Sequence, residues 1–198
     1  IVELIGGAEG PAKKLVFEAL KNKKHVVTAN KALIAKYGDQ LAKIAEKNKV
    51  NLEFEAAVCG GVPIIRSLKE GLIANKIFRI YGIFNGTSNY ILSSMYKENK
   101  SFAEVLNDAK KLGYAESNPA TDLDGNDVAA KLKILSSLCF NSFLNNDIYV
   151  EGIKNIDKND IDNADKLGYK IKLLGYAEIL NNKIYQRVHP TLIKKTSY

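Results

Sequence analysis

Apolar residues change their spacing from segment to segment along this chain, and the spacing predicts alternating strands and helices. Ile1-Val2-Glu3-Leu4-Ile5 is a strand-like run that ends at Gly6-Gly7. Pro11 suits the first turn of a helix to about Asn22. Val26-Val27-Thr28 reads as a short buried strand with Ala29-Asn30-Lys31 as its exit loop. A helix from about Tyr37 to Asn48 sets Leu41, Ile44 and Ala45 on one side, and residues 50–58 read as another strand. This order predicts a mainly parallel sheet with covering helices.

After Cys59-Gly60-Gly61-Val62-Pro63 the pattern changes. Pro63 can open a helix through about Leu72, and residues 76–84 alternate as a strand, with Ile77, Arg79 and Tyr81 opposed to Phe78 and Ile80. Asn85-Gly86-Thr87-Ser88-Asn89-Tyr90 is a turn opening a further helix, and Ser101-Phe102-Ala103-Glu104 matches a capping box for a helix to about Leu112. Residues 169–180 and 183–188 flank Asn181-Asn182 as an antiparallel hairpin. The expected fold class is α/β: a remnant of a parallel sheet, then an α+β portion with a mixed sheet covered by helices. No internal repeat or low-complexity segment stands out.

Composition narrows the possibilities. A chain of 198 residues with 46% hydrophobic content can bury a real core in one or two domains. The formal charge of +7 suggests a polyanion partner, yet the only arginines are Arg66, Arg79 and Arg187, and the lysines are scattered among acids. Such a distribution does not predict nucleic-acid binding. Cys59 and Cys139 are far apart and belong to no C-x-x-C pair or Cys/His cluster, as expected of a reduced cytoplasmic protein. No apolar run approaches the roughly 20 residues needed to span a bilayer, and no membrane association is expected. The first residue is Ile1 and the only methionine is Met95, so the chain reads as a fragment whose beginning is missing.

The densest chemistry runs from Gly113-Tyr114-Ala115-Glu116 through Pro119 to Asp122-Leu123-Asp124-Gly125-Asn126-Asp127 and Lys131. If residues 124–139 form a helix at roughly 100° per residue, Val128, Leu132, Leu135, Leu138 and Cys139 share an apolar arc. Lys131 falls inside that arc, while Lys133 points to the far side. Asp127 precedes Lys131 by four positions, the spacing of a helical ion pair. Two readings stay open: a surface salt bridge with a snorkelling lysine, or a site in which Glu116, Asp122, Asp124 and Asp127 surround one lysine.

These residues carry a resemblance. Val26-Val27-Thr28-Ala29-Asn30-Lys31-Ala32-Leu33, then Glu55-Ala56-Ala57-Val58-Cys59-Gly60-Gly61-Val62-Pro63-Ile64-Ile65, then Asn85-Gly86-Thr87-Ser88-Asn89-Tyr90-Ile91-Leu92 and finally the stretch from Gly113 to Lys131 are similar, in order, to homoserine dehydrogenases. The similarity runs from Glu3-Leu4-Ile5-Gly6-Gly7 to Pro190-Thr191-Leu192-Ile193. It implies a Rossmann-type remnant over residues 1–55, a partial NAD(P)-binding domain. Residues 56–198 would be a substrate-binding, catalytic and dimerisation domain.

The implied reaction is NAD(P)-dependent interconversion of homoserine and aspartate 4-semialdehyde, a step toward threonine, methionine and isoleucine. By resemblance Lys131 is the proton shuttle, Glu116 binds the substrate amino group, and Asp122 and Asp127 position substrate or lysine. Lys31 reaches the reacting centre from the cofactor side, with Asn30 beside it. A monovalent cation, sodium, is implied on carbonyls of Glu55, Val58, Gly60 and Val62, since hard cations prefer oxygen ligands; the structural alternative for that loop is a tight strand-to-helix connection. A homodimer is implied as well.

The chain departs from the family in three ways. The G-x-G-x-x-G turn is missing and is expected upstream of Ile1, together with the residue that selects NAD or NADP. The family continues past Ile193 with more strands, a glycine-rich cofactor contact and a closing helix. Ser88 replaces a more usual threonine. Two rivals follow: a substrate and dimerisation domain without activity of its own, or a semialdehyde dehydrogenase using Cys59 with a histidine base. The second is weakly supported, since His25 and His189 have no motif around them.

Overall fold

A computed structural model describes residues 1–142 and 148–197. The chain packs as two compact units. The first comprises Ile1–Ile80 with the stretch from Ala130 to the end of the seventh helix; the second comprises Tyr81–Ala129 with the stretch from the fifth strand onward. The boundary expected near residue 55 from motifs is a different division of the chain from this one by packing.

The first unit is a parallel sheet in the order β1 (Val2–Glu3), β2 (Val26–Thr28), β3 (Leu52–Glu53). Helices α1 (Pro11–Lys21) and α2 (Lys31–Asn48) make the crossovers. Pro11 opens α1, where the missing N–H is not needed, and Ala12, Val16, Ala19 and Leu20 form its buried stripe. Leu33, Ile34, Leu41 and Ala45 do the same for α2. Leu20, Leu33 and Leu41 are fully buried, so truncating any of them to alanine costs about 2–5 kcal/mol.

Two expectations in this unit are corrected. The second helix begins at Lys31, well before Tyr37, because the Asn30 side chain caps it by accepting from the Leu33 N–H at 3.1 Å. The strand expected over residues 50–58 shrinks to Leu52–Glu53 and gives way to a 3₁₀ turn at Glu55–Ala57. The Glu55 carboxylate accepts from the N–H groups of Ile65 and Arg66 at 2.9 and 2.8 Å. That long-range cap starts α3 (Ile64–Arg66), which widens into a π turn at Ser67–Gly71.

The second unit is built on a mixed sheet in the order β4 (Arg79–Gly82), β6 (Tyr169–Leu180), β7 (Lys183–Lys194), β5 (Tyr149–Val150). β6 and β7 are antiparallel, and β5 runs parallel to β7. Asn181 and Asn182 both adopt positive φ, 51° and 59°, as a two-residue type I′ hairpin requires. β7 continues past Val188, where it was expected to end. β5 pairs only with Arg187 and Val188, so Pro190 lies where that side of β7 is an edge and no ladder N–H is needed.

Around this sheet lie α4 (Gly86–Glu98), α5 (Phe102–Lys111), α6 (Ala120–Leu123) and α8 (Lys158–Lys166). The Ser101/Glu104 capping box forms as expected. A second box, Asp157/Asp160, opens α8 and was not anticipated. The helix expected from about Asp124 to Cys139 forms as α7 (Asn126–Phe140), and the short α6, ending at Leu123, precedes it. Between them Gly125 has φ 83°, and a Cβ there would sit 3.1 Å from a Val150 methyl and 3.3 Å from one of Val188. Among the described residues no helix is long and apolar enough to cross a membrane.

Candidate active site

Asn85 organises the polar cluster of the second unit. It is the N-cap of α4: its Oδ1 accepts from the Ser88 N–H at 2.7 Å and the Ser88 hydroxyl at 2.8 Å. Its Nδ2 donates to Asp122 Oδ1 at 2.7 Å and to Asp127 Oδ2 at 2.9 Å. Asn85 is 6% exposed and Asp127 3%, and a buried carboxylate needs such donors. The Thr87 hydroxyl shares its proton between the Tyr114 carbonyl at 2.7 Å and Asp122 Oδ2 at 3.2 Å.

The short helix α6 carries Asp122, and Asp127 stands in the first turn of α7, where the helix dipole favours a negative charge. Tyr114 is held by its backbone bonds and by stacking on Tyr90, ring centroids 4.5 Å apart. Glu116 follows as an exposed residue just beyond the buried Ala115. Asp124, the fourth carboxylate of the stretch, is instead an ion-pair partner of Lys154 at 2.5 Å. Lys131 is half-buried on α7, four positions beyond Asp127.

By the division above Lys131 belongs to the first unit, which also holds the remaining expected residues. Glu3, with no exposed surface, accepts from the Thr28 hydroxyl at 2.5 Å and from the N–H groups of Ile5 and Gly6 at 2.7 and 3.0 Å. Burial alone would raise its proton affinity, but the hydrogen bonds from Thr28, Gly6, Ile5 and Asn30 outweigh it and hold Glu3 below its ordinary 4.5. The same Thr28 oxygen accepts from the Asn30 N–H at 2.9 Å, and Asn30 Nδ2 donates to the Gly7 carbonyl at 2.7 Å.

That network fixes the two loops leaving the carboxyl ends of β1 and β2, where open parallel sheets seat a nucleotide. Lys31 is the first residue of α2. A cation at a helix N-terminus opposes the dipole by about 0.3–1 kcal/mol, so helix stability does not account for it. These loops fit a nicotinamide cofactor, and Asn30, 5% exposed and engaged at both ends of its amide, shapes them.

The cation ligands expected by resemblance lie on one turn in which Cys59 and Gly60 take positive φ, 59° and 57°. The Glu55 carbonyl accepts from the Val58 N–H at 3.3 Å and the Val62 carbonyl from the Ile64 N–H at 2.8 Å. A carbonyl has a second lone pair, so oxygen donors of the kind hard cations prefer remain on this turn. The Glu55 side chain itself is committed to capping α3.

Neither histidine stands as a base beside a thiol. His25 Nδ1 accepts from the Asn51 N–H at 3.0 Å, and His189 Nδ1 lies against the Pro190 carbonyl and the Thr191 hydroxyl. Burial pushes the Cys139 thiol up to about 11.

Sequence patterning missed Glu3, Asn85 and Thr87 as site-building residues. Asn85 had a signal, an asparagine directly before a helix. Glu3 had none, since it sat in a strand-like run. Lys172 was missed too. It donates to Asn89 Oδ1 at 2.7 Å and Ser93 Oγ at 2.6 Å; burial first, then Lys170 and Lys97, hold its ammonium below the usual lysine range.

Comparison with known proteins agrees with this arrangement of parts. Residues 63–198 match the family model for homoserine dehydrogenase, and residues 1–55 match the one described as homoserine dehydrogenase, NAD binding domain. The homoserine dehydrogenase of Neisseria gonorrhoeae is 51% identical over 197 residues, 99% of this chain and 45% of that protein. A crystal structure of a homoserine dehydrogenase from Thiobacillus denitrificans superposes with a TM-score of 0.95 at 51% identity, covering 99% of this chain and 46% of that one. A hyperthermophilic archaeal homoserine dehydrogenase mutant in complex with NADPH superposes with a TM-score of 0.82 at 29% identity, over 99% of this chain and 57% of its own. The chain spans about half the length of the relatives it matches.

Proposed function

The chain belongs to the homoserine dehydrogenase family, and from that premise we propose that it contributes the substrate-binding and proton-transfer groups for NAD(P)-dependent oxidation of L-homoserine to L-aspartate 4-semialdehyde. The observation that carries this reading is the buried cluster in which Asn85 holds Asp122 and Asp127. It lies within the stretch matched by the homoserine dehydrogenase model. An acidic, preorganised group of this kind suits an amino-acid substrate, whose ammonium it can bind.

When bound, NAD or NADP takes up the hydride from C4 of homoserine. Lys131, as the neutral amine, accepts the proton from the C4 hydroxyl while the carbonyl forms; in the reverse direction its ammonium polarises the carbonyl and returns the proton. Glu116 binds the substrate amino group, and Asp122 and Asp127 orient substrate and lysine. Asn30 shapes the cofactor loop through its amide, and Lys31 faces the cofactor and the reacting carbon.

Residues 1–55 form part of the nucleotide-binding domain, and residues 56–198 the substrate and dimerisation domain. Carbonyls of Glu55, Val58, Gly60 and Val62 would hold a sodium ion, which would stiffen the turn after β3. The enzyme is a cytoplasmic homodimer serving threonine, methionine and isoleucine synthesis.

A second reading is kept because the chain contains no G-x-G-x-x-G turn: alone, it folds without turning over. The test compares NAD(P)H formation with homoserine for this chain and for a version extended at both ends to the length of its relatives. Turnover is expected only in the extended protein. If the extended protein also fails to oxidise homoserine, the functional assignment is wrong.

A further inference from the structure

We propose that Asn85 is a positioning residue that bridges Asp122 and Asp127 and presents them to the substrate as one fixed acidic pair. This rests on the homoserine reading above. The orientation of the amide follows from its neighbours. The Ser88 N–H can only donate, so the atom facing α4 must be the oxygen. That leaves both N–H bonds of Nδ2 for the other side, and each reaches a different carboxylate, at 2.7 and 2.9 Å. With both ends engaged and only 6% of its surface exposed, the side chain has one arrangement available.

The chemistry of the bridge is informative. Two carboxylates near one another repel, and a lysine or arginine between them would relieve the repulsion by cancelling charge. A neutral amide satisfies an oxygen of each and adds no charge of its own to the site. Helix capping alone does not call for this residue, because serine or aspartate would cap α4 about as well. The Nδ2 group is what asparagine adds. Thr87 supplies a second neutral donor to Asp122, which agrees with the same design.

The test uses Asn85→Ser and Asn85→Asp, both of which keep an oxygen for the Ser88 N–H and lose the bridging donor. In the extended protein, kcat/KM for homoserine should fall by about 10-fold or more in Asn85→Ser, the usual weight of a hydrogen bond to a charged group. It should fall further in Asn85→Asp, which adds a third carboxylate. The KM for NAD(P) should stay near that of the unsubstituted protein, while the Tm falls, least in Asn85→Ser, because the buried Asp127 loses a donor. An Asn85→Ser protein with unchanged homoserine kinetics overturns the proposal. So does a variant in which the KM values for homoserine and NAD(P) worsen equally, since that marks a purely structural residue.

A second measurement is independent of turnover. Carboxyl-carbon NMR resonances of Asp122 and Asp127 should move in Asn85→Ser, and unchanged resonances overturn the bridge. If the unsubstituted extended protein does not oxidise homoserine while these resonances do move, the homoserine assignment fails and the bridge stands.

Discussion

Asn30 in the first unit and Asn85 in the second begin with the same task and finish with different ones. Each is the N-cap of a long helix, its amide oxygen accepting from a backbone N–H of the first turn. Asn30 sends its amide nitrogen to the Gly7 carbonyl, whereas Asn85 sends its own to the carboxylates of Asp122 and Asp127. Asn30 also bonds the single buried carboxylate of Glu3, so one cap ties a loop carbonyl and one carboxylate, and the other ties two carboxylates. Similar local chemistry therefore serves loop shape in the unit assigned to the cofactor, and side-chain placement in the unit assigned to the substrate.

The largest effect expected sets the scale for both. Lys131→Met in the extended protein should lower kcat by about 10²- to 10⁴-fold, the range for a positioned proton-transfer group, with cooperative urea unfolding retained. Loss of folding instead would make Lys131 a structural ion-pair residue. Next, Glu116→Ala should raise the KM for homoserine by about 10- to 150-fold, the weight of a charge-assisted hydrogen bond, and leave the KM for NAD(P) alone. An unchanged homoserine dependence removes Glu116 from the substrate side of the comparison.

Glu3→Gln should act on stability. It replaces the carboxylate by an amide whose oxygen can keep the N–H groups of Ile5 and Gly6 while its N–H₂ opposes the donating Thr28 hydroxyl, costing about 1–3 kcal/mol in equilibrium unfolding of this chain at neutral pH. The sign with pH is fixed by the depressed proton affinity: Glu3 stabilises the fold above its ordinary 4.5, and the contribution is lost as pH falls through the lower folded value. Glu3→Gln should flatten that acid dependence, and an unaltered slope would show that the network does not depend on the carboxylate's charge. The smallest effect belongs to Asn30→Ser, which keeps a capping oxygen, loses the bond to Gly7 and adds no charge beside Glu3. The KM for NAD(P) should rise about 5-fold, the weight of one neutral hydrogen bond, with the homoserine KM constant. A change in the homoserine KM instead would erase the division of labour between the two asparagines.

Much of the fold was legible because its signals are local. Pro11, the Ser101/Glu104 box and Asn181-Asn182 each state a backbone conformation within a few residues, and all three elements form where they were expected. The elements that were misjudged depend on distant partners. The third strand is cut short by a carboxylate that caps a helix ten residues on, and β7 passes Pro190 because of where β5 ends. The site divides in the same way. Asp122, Asp127, Glu116 and Lys131 could be picked out as an unusual concentration of charge, yet nothing in their spacing indicated the amide between the two aspartates.

Residue order alone determined the alternation of strands and helices, the parallel first sheet, the hairpin and the family, since these rest on periodicity, turn residues and motif order that survive without coordinates. Tertiary structure decided which polar groups satisfy one another: Glu3 with Thr28 across 25 positions, and Asn85 with Asp122 and Asp127 across 37 and 42. The reason is physical. A buried carboxylate or amide must find a partner of the right polarity within about 3 Å, and which residue comes that close depends on how the elements pack rather than on the order in which they are strung.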